Sequence, residues 1–352
     1  MTISVSFFIF LSLSLASAQQ LSALVVDHDA VREFDQIPDY WIDQAKQNFV
    51  IGYGHTSHGS QISTGMSMVR TEYGNLYNYD RNGEGDALYY FEGASYGSGW
   101  LELDVGYYPT WVNETNEFLQ DPSNAHFNMI MWSWCGQASS KTEQTMISQY
   151  LQPMTDFEQQ YPDVTFIYMT GHLDGSGVDG NLRQRNDQIR DYVRENDKVL
   201  FDFADIERHD PNGVDYPNET DSCGWCSSWC STHSCPSCDS CAHSHCFNCY
   251  QKGKAFWWMM AKLAGWGGAT PTPTPISTPT PTSTPAPTSQ SSTPGDLDGD
   301  GNVDIFDLVI VGNSFGKSPG ESGYDPRADA DTSGGAIDIF DLIIVGSHFG
   351  EG

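Results

Sequence analysis

The sequence has little positive charge: its 352 residues include 16 Lys and Arg against 46 Asp and Glu, a formal net charge of −30. A field of this sign repels phosphate backbones and anionic lipid headgroups, so we expect no nucleic-acid partner. Beyond its N-terminus the chain also lacks an apolar run long enough to cross a bilayer. The sequence therefore predicts no membrane span.

One apolar stretch stands at the N-terminus. FFIFLSLSLASA ends on Ala16-Ser17-Ala18, the small-residue pattern that signal peptidase accepts, although no positive charge precedes the run. This pattern predicts a signal peptide over residues 1–18 and a secreted, extracellular chain, free or held in a cell-surface complex. Nine cysteines in an exported chain favour disulfides over redox catalysis.

A shift in composition divides the remaining chain. Residues 267–294 are dominated by Pro, Thr and Ser, a composition that cannot bury a core and favours a stiff, extended linker. The linker separates a large module, residues 19–266, from a small acidic module, residues 295–352.

Strand-like and helix-like segments alternate in the large module. The apolar strands are NFVIGY, HFNMIMWSW, VTFIYMTG and KVLFDFADI, and the helical segments are KTEQTMISQYLQPMTDFEQQY, NLRQRNDQIRDYVREN and QKGKAFWWMMAKLAGW. This alternation predicts an α/β fold, a parallel sheet flanked by helices on both faces. Functional groups gather at the carboxyl ends of such strands, where GHTSHG, WSWCGQ, TGHLDG and DFADIERHD lie.

The small module is an internal duplication. VDIFDLVIVGNSFG at 303–316 returns 34 residues later as IDIFDLIIVGSHFG at 337–350, with 10 of 14 positions identical. DLDGDGNVDIFD places oxygen ligands at the spacing of a Ca²⁺ loop, with a glycine at its sharp bend. The proposed ligands of the first loop are Asp296, Asp298, Asp300, Asn302 through its carbonyl, Asp304 and Asp307. The second loop is one residue longer, so we expect weaker binding from Asp329, Asp331, Ser333, Asp338 and Asp341.

These loops end on Asp rather than Glu, and a single helix follows each. Together they resemble a type I dockerin over essentially all of residues 296–350. The resemblance implies one or two bound Ca²⁺ ions and a cohesin-type partner on a scaffold or cell surface. Ile305-Phe306 and Ile339-Phe340, at the start of each helix, are candidates for that contact, but we expect at least one residue of each pair in the core. The alternative for the whole module is an acidic, solvated tail.

The turn GHTSHG follows the first of these strands and carries two imidazoles and two hydroxyls. It resembles the first block of the SGNH (GDSL-like) hydrolases, with Ser57 as the nucleophile and Thr56 where the family has Asp. The resemblance implies a flavodoxin-like three-layer fold and a late histidine base, oriented by Asp, just before the final helix. CDSCAHSHCFNC offers that base as His243 or His245, with Asp239 as the acid. The oxyanion and substrate candidates are Gly59, Gly136, Gln137, His55 and His172.

Several of these residues have an alternative role. Ser57 can cap the following helix, and His55, His58 and His172 can bind a metal ion instead. The Cys-rich segment 223–249 holds eight cysteines with three CxxC spacings, typical of a zinc site, but an exported chain favours four disulfides over Zn²⁺. Cys135 is left over, and we expect it to be buried or paired into this cluster.

The sequence favours a secreted serine hydrolase, an esterase that removes acyl groups from polysaccharide and is attached by the dockerin-like module to a cohesin-bearing scaffold. Aromatic and acidic residues in DALYYFEGASYGSGW favour a glycan substrate. Two other classes stay open. One is a non-enzymatic extracellular glycan-binding or surface protein with the same calcium-dependent anchor. The other is a metal-dependent hydrolase that uses His55, His58 and His172.

Overall fold

The computed structural model describes residues 23–93, 99–267, 294–297, 301–303, 305–319, 324–331 and 335–351. Contacts along the chain divide it into two units, Met1–Thr272 and Pro273–Gly352. The predicted signal peptide and nearly all of the predicted linker lie outside the described residues. So do four of the proposed calcium ligands, Asp298, Asp300, Asp304 and Ser333.

A sheet of seven strands forms the centre of the first unit, in the order β1-β7-β6-β5-β2-β4-β3. All of its paired strands are parallel. In chain order they are β1 (Leu24–Val26), β2 (Val50–Gly54), β3 (Tyr79–Asp80), β4 (Leu88–Glu92), β5 (Met129–Trp132), β6 (Thr165–Met169) and β7 (Val199–Phe201). The predicted α/β class with a parallel sheet is therefore confirmed.

Helices connect the strands and cover both faces of the sheet. Those of the first unit are α1 (His28–Glu33), α2 (Asp39–Asn48), α3 (Ser60–Tyr73), α4 (Thr110–Gln120), α5 (Glu143–Met146, Ile147–Leu151 and Gln152–Gln160), α6 (Asn181–Glu195), α7 (Phe203–Arg208), α8 (Gly224–Cys230) and α9 (Cys246–Leu263). Within the described residues, no helix has the length and apolar character needed to span a membrane.

Alternate side chains of each strand point into two separate cores. Met129 and Met131 join the core under α1, α2, α3 and α9, while Ile130 and Trp132 join the core under α4, α5 and α6. This alternation is the two-residue period of a strand buried on both sides. It explains why the strands read as continuous apolar runs in the sequence.

Helix α5 contains a π-helical turn that the sequence analysis did not predict. The turn spans Ile147–Leu151, and Pro153 follows at the start of the last α-helical segment. Proline has no N–H to donate to the carbonyl four residues earlier, so the regular ladder is interrupted at this point. The predicted single helix is therefore three consecutive helical segments.

The Cys-rich segment is closed by four disulfides, as the exported context predicts. The pairs are Cys223–Cys226, Cys230–Cys235, Cys238–Cys246 and Cys241–Cys249. All eight sulfurs are therefore bonded to sulfur, which leaves no thiolate there for the alternative Zn²⁺ site. The last two bridges tie the loop before α9 to the first turn of that helix.

The second unit contains α10 (Ile305–Ser314) and α11 (Ile339–Ser347). Its small core is formed by Val303, Val311, Ala328, Ile337 and Val345. Ile305, Phe306, Ile339 and Phe340 are each more than half exposed. The expectation that one residue of each pair packs in the core is therefore wrong, because Leu308 and Leu342 of the same helical turns pack against this cluster instead.

Candidate active site

The turn after β2 is held tightly against the end of β5. Ser133 donates its backbone N–H to the Gly54 carbonyl at 3.0 Å, which continues the β2–β5 pairing past the strand ends. At Gly59 a Cβ would lie 2.3 Å from the His55 Cβ and 2.5 Å from the Ser133 hydroxyl, so only glycine fits there. The close approach brings the turn and the residues after β5 to one edge of the sheet.

Ser57 meets His243 across this edge. The two residues are 186 positions apart, and the Ser57 Oγ lies 3.0 Å from the His243 Nε2. Both are exposed. His243 belongs to the loop tied by the last two disulfides, so the cross-linked segment delivers one of the two predicted histidines to the predicted serine.

His58, the next residue, has two charged or nucleophilic partners. Its Nδ1 lies 3.0 Å from the Cys135 Sγ, and its Nε2 lies 3.0 Å from the Asp221 Oδ2. Cys135 is the free cysteine, half-buried, and its Sγ is 3.9 Å from the Ser57 Oγ. The expectation that Cys135 is buried or disulfide-bonded is wrong, because it follows β5 at the edge where β2 also ends. Thiol, imidazole and carboxylate are thus arranged in line.

Three imidazoles stack at this centre. The His58 ring is parallel to the His172 ring at a centroid distance of 3.7 Å, and the His243 ring covers its other side at 4.4 Å. The Nδ1 of His172 is hydrogen-bonded to the Leu173 carbonyl at 2.8 Å. The same nitrogen lies 4.0 Å from Asp221. The stack holds the His58 ring in the plane that its two partners require.

The buried carboxylate of Asp104 holds the turn that carries Ser57. Asp104 accepts hydrogen bonds from the Thr56 hydroxyl at 2.5 Å and from the Gly106 N–H at 2.9 Å. Burial raises the pKa of Asp104, and the hydrogen bonds from Thr56, Gly106 and Gln137 oppose that rise. Asp104 therefore connects the Ser57 turn to Gln137, on the segment after Cys135.

His55 points away from the centre. Its Nε2 contacts the Glu92 Oε1 at 2.6 Å, and its Nδ1 contacts the Thr56 carbonyl at 2.7 Å. With both nitrogens engaged in a buried network, His55 does not join His58 and His172 in the metal site considered above. The group that does come together at this edge is His58, Asp221 and His243, with one ligand atom from each within 4.8 Å of the others.

The remaining predicted residues lie at varied distances from the centre. His245 caps α9, where its Nδ1 accepts the Phe247 N–H at 3.1 Å. Asp239 lines a separate cleft with α3 residues and, among the described residues, makes no hydrogen bond to either late histidine.

Gly136 and Gln137 begin a 3₁₀ turn, Gly136–Ser140, directly after Cys135. A Cβ on Gly136 would meet the His172 Nε2 at 3.8 Å, so this residue borders the imidazole stack.

Sequence reasoning missed two members of the centre, Cys135 and Asp221. The cysteine carried one usable signal, because an odd cysteine outside the clustered eight in an exported chain is a candidate free thiol. Asp221 carried no such signal. It lies in an irregular loop, where its backbone N–H donates to the Leu173 carbonyl at 3.0 Å. Comparisons of the chain with models of known families, with curated proteins and with solved structures gave no match.

Proposed function

We propose that this chain is an acyl-transfer hydrolase in which Cys135 is the nucleophile, His58 the base and Asp221 the group that orients the imidazole. One observation carries the proposal: the His58 ring lies between the thiol and the carboxylate, 3.0 Å from each. This is the order of partners that a nucleophile, its base and an orienting acid require.

The proposed reaction has two steps. His58 Nδ1 takes the thiol proton while the Cys135 sulfur attacks the substrate carbonyl, and the resulting imidazolium then protonates the leaving group. Water attacks the thioester next, with His58 again as base, which releases the acid and restores the thiol. The first N–H groups of the turn that begins at Gly136 have no partner within their own turn. We propose that they donate hydrogen bonds to the oxyanion that forms on the substrate.

Ser57 is the second candidate nucleophile, favoured by its 3.0 Å contact with His243. It catalyses the same reaction class by the same two steps. We rank it below Cys135 because, among the described residues, no carboxylate lies within hydrogen-bond distance of His243, whereas His58 has Asp221. In the leading proposal Ser57 and His243 border the path of the substrate to the sulfur.

We propose a polysaccharide ester as the substrate. Tyr107 and Tyr108 are 50% and 43% exposed. They follow Gly106, where a Cβ would collide with the Gln137 side chain at 2.1 Å, so this loop borders the centre. Exposed aromatic rings supply the flat apolar surface that sugar rings pack against. The predicted export of the chain is consistent with such a substrate.

We propose that the second unit is a dockerin-like module that binds Ca²⁺ and a cohesin-type partner. Asp307 and Asp341, the last ligand of each loop, are buried, and each accepts a backbone N–H from the beginning of its loop. The exposed pairs Ile305-Phe306 and Ile339-Phe340 form equivalent apolar surfaces at the two helix starts. Repeated, solvent-exposed apolar pairs are suited to a protein partner.

The test is hydrolysis of acetylated xylan and a small acetate ester by the full chain with Cys135→Ala, Ser57→Ala and His126→Gln. We expect Cys135→Ala to lose at least about 10³-fold in kcat, Ser57→Ala to stay within about tenfold, and His126→Gln, remote from the centre, to be unchanged. The reverse order for cysteine and serine would establish the Ser57 alternative. Loss on chelation that Zn²⁺ restores and Ca²⁺ does not would establish a metal centre at His58, Asp221 and His243. No turnover by the unmodified chain on a panel of glycan esters would overturn the proposal.

A further inference from the structure

A buried network of charged and amide side chains joins α3, α7 and α9. Lys252 of α9 and Glu207 of α7 have no exposed side-chain surface, and the Lys252 Nζ lies 2.9 Å from the Glu207 Oε1. The same ammonium donates to the Gln61 Oε1 of α3 and lies 3.9 Å from the centre of the Phe203 ring. The proposed reaction assigns no role to any of these residues.

The Gln61 end of the network holds the loop that carries His243. The Gln61 Nε2 donates a hydrogen bond to the Ala242 carbonyl at 2.6 Å. His243, the next residue, has a φ of +60°, in the left-handed region that few residues other than glycine adopt. Such a conformation persists only when surrounding contacts hold it. The network therefore supplies one of the contacts that fix the His243 backbone.

The Glu207 end holds the two loops that carry His172 and Asp221. The Glu207 Oε2 accepts the Leu173 N–H at 2.7 Å, and the Leu173 carbonyl accepts the Asp221 N–H at 3.0 Å. Burial lowers the pKa of Lys252, and the charges of Glu207 and Asp221 oppose that fall. The field of the ammonium therefore reaches the acid of the proposed centre.

Three supports of His58 thus depend on one ion pair. His172 and His243 enclose the ring, and Asp221 contacts its Nε2 at 3.0 Å. The network fixes the backbone beside each support, directly or through one further hydrogen bond. A shift of any support changes the 3.0 Å contact between the His58 Nδ1 and the Cys135 Sγ.

We infer that the Lys252–Glu207 pair positions the His58 ring for proton transfer from the thiol of the centre, and thereby sets the reactivity of that thiol. This inference rests on the proposed function, because it gives the pair a role in that centre. Apolar side chains of similar volume often stabilise a fold as well as a buried ion pair does. Stability alone therefore does not account for two buried charges here, whereas the backbone contacts that they hold do.

The experiment measures the rate at which iodoacetamide alkylates Cys135, the free cysteine, in the full chain; the reacting species is the thiolate. The pH is held about two units below the ordinary pKa of a free thiol, so the imidazole contact decides the thiolate fraction. Lys252→Met leaves a buried carboxylate without its partner and should lower both the unfolding midpoint and the rate. Lys252→Met with Glu207→Leu removes both charges. This double variant should recover most of the midpoint but stay about 10–100-fold slower than the unmodified chain.

Lys254→Met is the matched control, because Lys254 lies on the same helix but pairs with Asp35. It should keep the unmodified rate. Recovery of both midpoint and rate in the double variant would overturn the inference, because the pair would then act on folding alone. If the double variant does not fold, Gln61→Met decides, since it keeps both charges and cuts the link to the Ala242 carbonyl. It should react about tenfold more slowly, and an unmodified rate would equally overturn the inference.

Failure of the proposed function gives a different pattern. His58→Gln removes the proposed base, so the unmodified chain must react faster than this variant. Equal rates in these two proteins would contradict the Cys135 centre itself, and with it the role of the pair. A rate advantage over His58→Gln that the double variant keeps in full would contradict the inference alone.

Discussion

At the scale of single residues, the centre depends on the two nitrogens of His58. A carboxylate only accepts hydrogen bonds, so Asp221 keeps the proton on Nε2 and leaves the Nδ1 lone pair for the Cys135 thiol. In the proposed reaction the thiol gives up its proton, and the imidazolium then lies between two negative groups. The single carboxylate thus fixes the tautomer first and stabilises the charge afterwards.

Asp221→Asn separates these effects from the presence of the ring. The amide keeps the shape but can donate to Nε2, which favours the wrong tautomer and removes the charge that stabilises the imidazolium. We expect kcat on the small acetate ester to fall by about 10²–10⁴-fold with little change in stability. Asp179→Asn, on an exposed loop, is the matched control and should keep full activity. An unchanged kcat in Asp221→Asn would remove this residue from the mechanism.

At the scale of secondary-structure elements, α3 and α9 cross backbone to backbone. A Cβ on Gly65 would lie 1.9 Å from the Cys249 carbonyl oxygen, and one on Gly253 would lie 2.2 Å from the Gly65 carbonyl carbon. Ser57 and His58 precede α3, and His243 precedes α9. The glycine crossing therefore fixes the separation of the two loops whose side chains meet at the centre.

Gly253→Ala tests this crossing. The methyl group has no space unless the helices separate, so we expect a loss of about 2–4 kcal/mol in the free energy of unfolding, measured with denaturant. Hydrolysis should fall as well, because the Ser57 and His243 loops move apart with their helices. Gly312→Ala in α10 is the helical control: apart from its chain neighbours and its own helix backbone, no atom lies within 4 Å of its Cβ position, and the better helix former should be neutral or stabilising. Equal stability of Gly253→Ala and the unmodified chain would show that the crossing is looser than described.

The sequence predicted these elements better than it predicted their contacts. Continuous apolar runs between helices of suitable length specify a parallel sheet locally, and the strands β2, β5, β6 and β7 were found from them. Strands β1, β3 and β4 were missed because β1 and β3 are short and β4 lies within an aromatic loop sequence.

The contacts of the site depend on sheet order, which is not a local property. Cys135 meets His58 because β5 is the neighbour of β2, although the strands β3 and β4 intervene in sequence. Asp221 reaches His58 across 163 positions through an irregular loop. No spacing in the sequence encodes either contact. Asp239 was assigned by its spacing to His243, but the disulfides hold its segment over α3 instead.

At the scale of the whole molecule, negative charge is concentrated where the proposed calcium loops lie. Asp307 and Asp341 are buried carboxylates that accept backbone N–H groups of their own loops. Burying a carboxylate is costly, so a cation bound by the surrounding loop oxygens would stabilise the folded second unit. The first unit has a core of its own on each face of its sheet and needs no such ion for packing.

Removal of Ca²⁺ should therefore affect the two units differently. We expect chelation to lower the unfolding midpoint of the second unit, and Ca²⁺ at about 100 times its Kd to restore about 2.7 kcal/mol of its free energy of unfolding.

Asp307→Asn should weaken the tighter of two binding steps and Asp341→Asn the weaker, since the first loop has the regular length and more carboxylates. Asp325→Asn, whose carboxylate pairs with Arg327, is the control and should leave calorimetric Ca²⁺ binding unchanged. Hydrolysis of the small ester should stay constant throughout, because its proposed catalytic groups lie in the first unit. Unfolding of the second unit that ignores Ca²⁺ would contradict the calcium assignment and leave the reasoning about Cys135 and His58 intact.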